Sequence, residues 1–178
     1  MRVALTGTPG TGKTTVADLL ETELEVVHLN DVVREEALAE SVDEERDSLV
    51  ADLDSVREWL DGHEAEHGDL FVESHLAHLF GADRVVVLRC DTDELERRLL
   101  DRGETEAKAR ENAESEALDV VLSEAVERHG EANVYEVVTT DRSPEAVARE
   151  VEAVLAGERE PSAGTVDYTD WLLEGDRA

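Results

Sequence analysis

Residues Gly7-Thr8-Pro9-Gly10-Thr11-Gly12-Lys13-Thr14 match the G-x-x-x-x-G-K-[ST] pattern in full, and no other stretch constrains the chain as much. A polyphosphate concentrates negative charge, so it is met by several backbone N–H groups on a tight concave loop. Glycines tolerate the positive φ and the close approach that such a loop demands. In this pattern Lys13 reaches the β- and γ-phosphates, and the Thr14 hydroxyl ligates the Mg²⁺ that bridges them. The flanks supply the required context. Arg2-Val3-Ala4-Leu5-Thr6 is a short apolar strand leading in, and Val16, Leu19 and Leu20 recur at helical spacing leading out. Strand, loop and helix, with the positive helix end toward the phosphates, predict a nucleoside triphosphate site.

A chain of 178 residues suits one domain with a real core. No apolar run reaches membrane-spanning length and the N-terminus is already strand and phosphate loop, so a cytoplasmic protein without a membrane partner is expected. Cys90, the single cysteine, sits at the end of an apolar strand and reads as a small core residue. The formal charge of −29 is extreme, with two lysines, Lys13 and Lys108, beside fifteen arginines. The acids are spread along the whole chain rather than massed in a tail. That distribution reads as a solvated surface for molar salt and resembles proteins of halophilic archaea; an acidic face for a basic partner is the alternative. Direct nucleic-acid binding is disfavoured, because no basic stripe exists.

Further along, Glu25–Asn30 reads as a second strand, with Asn30 or Asp31 capping the next helix. From Asp31 to about His67 the pattern is helical around a polar connection at 41–47, and Leu49, Leu53, Val56 and Leu60 mark one apolar face. Leu70–Glu73 and Arg84–Arg89 are the third and fourth strands, the latter a continuous apolar run suited to a central parallel strand. A helix from Asp91-Thr92 turns Leu95, Leu99 and Leu100 inward and ends near Gly103. Another spans about Thr105–His129. Asn133–Thr140 is a fifth strand, and Pro144 opens a helix to Ala156. Beyond Gly157 the periodicity fades, leaving a tail with one short docked turn. Strands alternating with helices predict an α/β fold with a parallel sheet.

The chain is too short for a motor with coupling domains, and it lacks the base-reading N-K-x-D-like loop of a GTP switch. A small phosphotransferase remains. Arginines are its expected second ingredient, because they neutralise the transferring phosphoryl group and align the substrates. Arg34, Arg98 and Arg102 lie where a substrate-side helix and a lid would carry them.

The combined motifs resemble the adenylate-kinase-like ATPases that assist small-ribosomal-subunit assembly, the isoenzyme-six type of adenylate kinase. The resemblance rests on Leu5–Thr15, Arg34-Glu35-Glu36, Asp43-Glu44-Glu45, Val87–Thr92, Arg98–Gly103, Asn112 and Glu116, and it spans roughly residues 2–156. It implies a P-loop NTPase domain over 1–157 with an adenylate-kinase-like fold: a five-stranded parallel sheet flanked by helices, a nucleotide-monophosphate arm at 31–66 and a short lid at 103–115. Residues 158–178 form a separate tail. It further implies ATP with Mg²⁺ as cofactor, AMP as acceptor and ADP as product. ATPase activity would be tied to a small-subunit ribosomal protein of the uS-eleven type and to rRNA maturation. By position, Gly10, Gly12, Lys13, Thr14, Thr15, Arg102 and Arg142 would bind ATP, with Asp141–Pro144 as the adenine loop, and Arg34 would contact the AMP phosphate. Lys13, His75 and Arg102 would be catalytic, while Thr14 and, through water, Glu73 would hold the metal. One motif departs: Glu73-Ser74-His75 stands where the family has Asp-x-His, and glutamate is one methylene longer. Two functions compete, an adenylate kinase and an ATP-dependent assembly chaperone with little kinase activity. A kinase for dephospho-coenzyme A or shikimate is a third.

His63-Glu64-Ala65-Glu66-His67 also satisfies the H-E-x-x-H zinc-protease signature. Gly68-Asp69 ends the helix at once and a strand follows, so this segment reads as a solvated helix end.

Overall fold

The computed structural model describes residues 1–43 and 48–174. Its centre is a parallel sheet of β1 (Arg2–Thr6), β2 (Glu25–His28), β5 (Leu70–Glu73), β6 (Arg84–Arg89) and β7 (Val134–Val138), in the order β2-β5-β1-β6-β7. The five predicted strands are therefore all present. Alternation along each strand feeds two cores. Val3, Leu5, Val86, Leu88 and Val137 pack against α1 (Lys13–Ala17) and α7 (Pro144–Leu155). Ala4, Val72, Val85 and Val87 face α2 (Leu29–Glu35), α3 (Leu53–His67) and α6 (Val120–His129). Both faces are covered, which is why β6 reads as an unbroken apolar run.

The order of strand addition reverses at β1: β2 and β5 lie to one side of it, β6 and β7 to the other. Ligands of open α/β sheets bind at that switch point, outside the carboxyl ends of the strands. Here those ends deliver the phosphate loop from β1, Glu73–His75 from β5 and Thr139–Arg142 from β7.

Several sequence expectations are corrected. The stretch 31–67 is not all helix, because β3 (Ala39–Asp43) and β4 (Ser48–Ala51) form an antiparallel hairpin. Leu49 belongs to β4, and of the expected apolar-face residues on α3, Val56 and Leu60 are buried while Leu53 is exposed. Helix α3 starts later because Asp52 caps it, accepting from the Asp54 and Ser55 amides at 3.1 and 3.3 Å. Glu44 and Glu45 of the family motif lie outside the described residues. Helix α1 stops at Ala17, leaving Leu19 exposed. Neither Asn30 nor Asp31 caps α2; the capping position is His28, without a side-chain bond.

The expected helix at 105–129 is two helices, α5 (Glu106–Ala117) and α6, broken at Asp119 with φ 55°. Asp119 gives up helical geometry there and accepts from Arg89. In α4 (Thr92–Asp101), Leu95 and Leu99 are buried, whereas Leu100 is exposed. The described part of the tail packs onto the domain and includes α8 (Asp170–Glu174).

Candidate functional site

A cavity of about 670 Å³ opens at the carboxyl end of the sheet. Its walls are the phosphate loop and α1, the end of β5 with Asn30, Glu73 and His75, the end of α4 with Arg98 and Arg102, and the β7–α7 connection with Thr139 and Arg142.

The loop is shaped by close packing. Gly7, Gly10 and Gly12 all have positive φ, at 143°, 93° and 96°. A Cβ on Gly7 would come within 2.6 Å of the Leu88 carbonyl, and one on Gly10 within 2.9 Å of Leu95 and Leu99. At Gly12 a Cβ would meet nothing, so only the backbone angle calls for glycine there. Thr11 ties the loop to itself through its hydroxyl, which donates to the Thr8 carbonyl at 2.9 Å.

Lys13 is buried, and its ammonium donates to the carbonyls of Gly7 and Thr8 at 2.9 and 3.1 Å. Burial lowers its pKa from 10.5 to about 8; Glu73 and Glu116 work against that fall, and Arg102 adds to it. Opposite, Thr14 donates to Glu73 Oε1 at 3.3 Å, and His28 Nδ1 stands 3.0 Å from Glu73 Oε2. The longer glutamate is thus seated between a hydroxyl and an imidazole. His28 was not recognised in the sequence as a site residue. It lies directly across from Glu73 in the β2–β5 register, so strand pairing was the signal that could have found it.

His75 is open on its cavity side, yet the surrounding walls deprive its ring of bulk water. That desolvation, followed by repulsion from Lys13 and His78, lowers its pKa from 6.5 to about 4. The imidazole therefore stays neutral at neutral pH beside a cationic lysine. Asn30, expected as a cap, instead accepts from the Ser74 hydroxyl at 2.9 Å and lines the cavity.

The arginines differ in how they are held. Arg102 reaches the cavity from the end of α4, with no carboxylate partner among the described residues. Arg98 donates to Thr139 Oγ1 and O at 3.2 and 3.1 Å, and pairs with Glu94. Arg142 pairs with Glu150 at 2.6 Å and donates to the Val138 carbonyl at 3.2 Å, so it braces the loop it belongs to. Arg34 lies outside the cavity walls, exposed on α2 and paired with Asp31 at 3.0 Å. Gly10, Gly12, Lys13, Thr14, Thr15, Glu73, His75, Arg102 and Arg142 are all brought to one cavity; Arg34 is not.

Beneath the loop runs a buried polar chain that sequence reading did not resolve. Thr8 donates to Glu116, whose other oxygen accepts from Arg89 Nε at 2.8 Å and from the Cys90 amide at 3.1 Å. Arg89, 1 % exposed, also pairs with Asp119 and Glu136. Burial alone would lower the Arg89 pKa, but Glu116 and Asp119 outweigh that and raise it. Glu136 then accepts from the tail, at 2.7 Å from the Thr165 amide and 3.1 Å from its hydroxyl. Cys90 is fully buried beside Leu95, Leu99 and Ala109, and burial pushes its thiol up to about 11, as befits an inert core residue.

Comparison with known proteins adds the family. A profile described as an AAA domain matches residues 3–119. A Natronomonas pharaonis protein named "Putative adenylate kinase" is 62 % identical, covering 97 % of this chain and all of its own length. A Halobacterium salinarum protein of the same name is 58 % identical over the same shares. Among solved structures, shikimate kinase from Acinetobacter baumannii in complex with shikimate gives a TM-score of 0.59 at 13 % identity, over 89 % of this chain and 94 % of that one. A gluconokinase from Sinorhizobium meliloti gives 0.53 at 15 %, over 88 % and 92 %. At such identities these structures speak for the fold alone: an α/β P-loop kinase fold with a five-stranded parallel sheet.

Proposed function

The chain belongs to the AAA-domain family of these archaeal adenylate kinases, and from that membership we propose that it transfers the γ-phosphoryl group of ATP to AMP, giving two ADP. The observation that carries the proposal is the meeting of Lys13, Thr14, Glu73, His75 and Arg102 in one cavity at the switch point of the sheet. Phosphoryl transfer asks little covalent chemistry of a protein; it asks for positioning and for positive charge where negative charge gathers. The glycine-shaped loop offers backbone amides to the β- and γ-phosphates. Lys13 would exchange its two carbonyl partners for phosphate oxygens, and Arg102, unpaired by any described carboxylate, is free to close on the transferring group.

The donor set at the end of β5 fits Mg²⁺, a hard ion that takes oxygen ligands and keeps several waters. Thr14 would ligate it directly and Glu73 through water, with His28 fixing the carboxylate. Held there, the ion would supply positive charge to offset the negative charge that develops on the phosphates during transfer. Gly10, Gly12, Thr15 and Arg142 would complete the ATP site. Residues 31–66 would form the AMP arm, in which Arg34 releases Asp31 to meet the AMP phosphate, and 103–115 the lid over ATP, with the tail 158–178 outside both.

The test is an acceptor screen with purified protein and ATP·Mg²⁺ in molar KCl. ADP formation should be faster with AMP than with any other monophosphate, with shikimate, or with no acceptor. A rate with AMP equal to the rate without acceptor would refute the kinase assignment. A second reading is favoured by His75: a neutral imidazole beside the phosphate-binding lysine can accept a hydrogen bond from an attacking water and so position it. On this reading the protein also hydrolyses ATP, and it acts in the cytoplasm on a small-subunit ribosomal protein of the uS-eleven type during rRNA maturation. Hydrolysis should then respond to that protein; failure to retain it in a pull-down with either nucleotide would remove the assembly role.

A further inference from the structure

The H-E-x-x-H segment does more than end a helix. Helix α3 holds its geometry through His67, and His63 and His67 stack with ring centroids 4.2 Å apart. A third group, not apparent from the motif, joins them from the sheet. Glu25, the first residue of edge strand β2, places Oε1 2.8 Å from His63 Nε2 and Oε2 3.5 Å from His67 Nδ1. One donor atom from each residue lies within 4.8 Å of the others. We propose that Glu25, His63 and His67 bind a divalent transition-metal ion, of which Zn²⁺ is the representative, that fastens the end of α3 to the edge of the sheet.

Three observations favour an ion here. The donors are nearly in position: tetrahedral zinc with bonds of about 2.0–2.1 Å sets its donor atoms roughly 3.3 Å apart, so the required shifts are about 1.5 Å or less at side-chain ends. The rings are pre-organised, since Trp59 stacks on the far side of His63 at 4.4 Å and holds it between two neighbours. Support for the outer nitrogen is also at hand. If His67 ligates through Nδ1, its Nε2–H faces Glu66, whose carboxylate stands 4.0 Å away, and such carboxylates typically orient ligating histidines. Glu25 and His67 are 40 % and 47 % exposed on their side chains, which leaves water room to complete the coordination.

The chemistry also selects among ions. Two imidazoles and one carboxylate suit zinc, nickel, cobalt or copper rather than Mg²⁺, which prefers oxygen donors throughout. The metal proposed for the nucleotide cavity would therefore not compete. A protease centre is excluded by the same geometry. Glu64, which would have to serve as general base, instead accepts from Arg2 at 2.7 Å and lies 3.6 Å from the N-terminal ammonium. The site is thus a clamp, and binding to the folded form alone should raise thermal stability.

The test uses the untagged full-length protein, stripped with chelator and dialysed into molar KCl with excess MgCl₂, then titrated with ZnCl₂. Calorimetry should report one ion per chain, with a matching change in tryptophan fluorescence because Trp59 stacks on a ligand. The melting temperature should rise. The exchanges His67→Ala and Glu25→Gln, both at partly exposed side chains, should each weaken binding at least about tenfold and abolish the rise. No zinc binding by the parent protein, or binding as tight in either variant, would overturn the proposal.

Discussion

A buried ammonium resting on two carbonyl oxygens is expensive to keep charged, and Lys13 shows that cost in a pKa of about 8. Because the folded-state value lies below the ordinary 10.5, the unfolded chain holds the extra proton between those limits. Folding stability from this group accordingly rises as pH climbs through the window from 8 to 10.5. Nucleotide binding runs the other way, since phosphates restore the charge. ATP affinity should fall above pH 8 by up to about tenfold per pH unit, with uptake of close to one proton. Calorimetry in buffers of different ionisation enthalpy reads both; constant affinity across the window would mean that the lysine is already fully charged in the free protein. His75 carries a second residue-scale prediction. Its depressed pKa keeps it neutral down to about pH 4, able to orient an attacking water by a hydrogen bond. His75→Ala should reduce ATP hydrolysis by roughly 10²-fold while sparing transfer to AMP, whose anionic phosphate oxygen is already a nucleophile and needs no positioned water. Equal losses in both assays would make the histidine structural. Much of this site was legible from residue types, because the phosphate loop is a local pattern. His28 and Glu116 were not read as site residues, because each acts through a partner distant in sequence, Glu73 and Thr8 respectively.

At the scale of elements, sequence reading succeeded where one period dominates and failed where two signals coincide. Strand β6 and helix α7 carry unmixed patterns, and Pro144 marks the start of the latter. Leu49 and Leu53 share a helical spacing with Val56 and Leu60, which masks the β3–β4 hairpin in the sequence; the Asp52 cap marks where α3 begins. The break at Asp119 was invisible for a different reason: its partner is Arg89, thirty positions away on strand β6. That arginine also links elements to one another. Tail residues Thr165 and Val166 hold Glu136, Glu136 holds Arg89, Arg89 holds Glu116, and Glu116 holds the loop through Thr8. Tyr168 lies over the same guanidinium, with the arginine 5.5 Å from its ring centre. Glu136→Gln leaves Arg89 two carboxylates but weakens the charge-assisted bonds to the tail. The expected cost is about 1.5–3 kcal/mol in urea unfolding, together with faster proteolytic trimming beyond Gly157. Unchanged trimming would show that the tail is anchored by something other than this carboxylate.

The molecule as a whole sets a cavity whose cations outnumber its carboxylates, Glu73 and Asp101, in a strongly acidic body. Lys13, Arg98, Arg102 and Arg142 line one cavity, while 46 acidic residues give the chain its charge of −29. Cations lining a cleft focus potential on an incoming nucleotide, yet the surrounding surface repels the same anion until salt screens it. The acids also repel one another, and the Debye length falls from about 10 Å at 0.1 M salt to about 3 Å at 1 M. Screening should therefore act on folding and on substrate capture together. The melting temperature should climb steeply as KCl rises from about 0.1 M to 1 M and then flatten, because little repulsion remains once the Debye length is shorter than the spacing of surface charges. Salt also strengthens burial of apolar surface in some cases, so a control must separate the two causes. Sucrose is excluded from protein surfaces without screening charge. If sucrose reproduced the whole KCl effect, repulsion among the acids would not be its source. If instead KCl alone restored stability and lowered the KM for ATP over the same concentration range, one screened field would account for both.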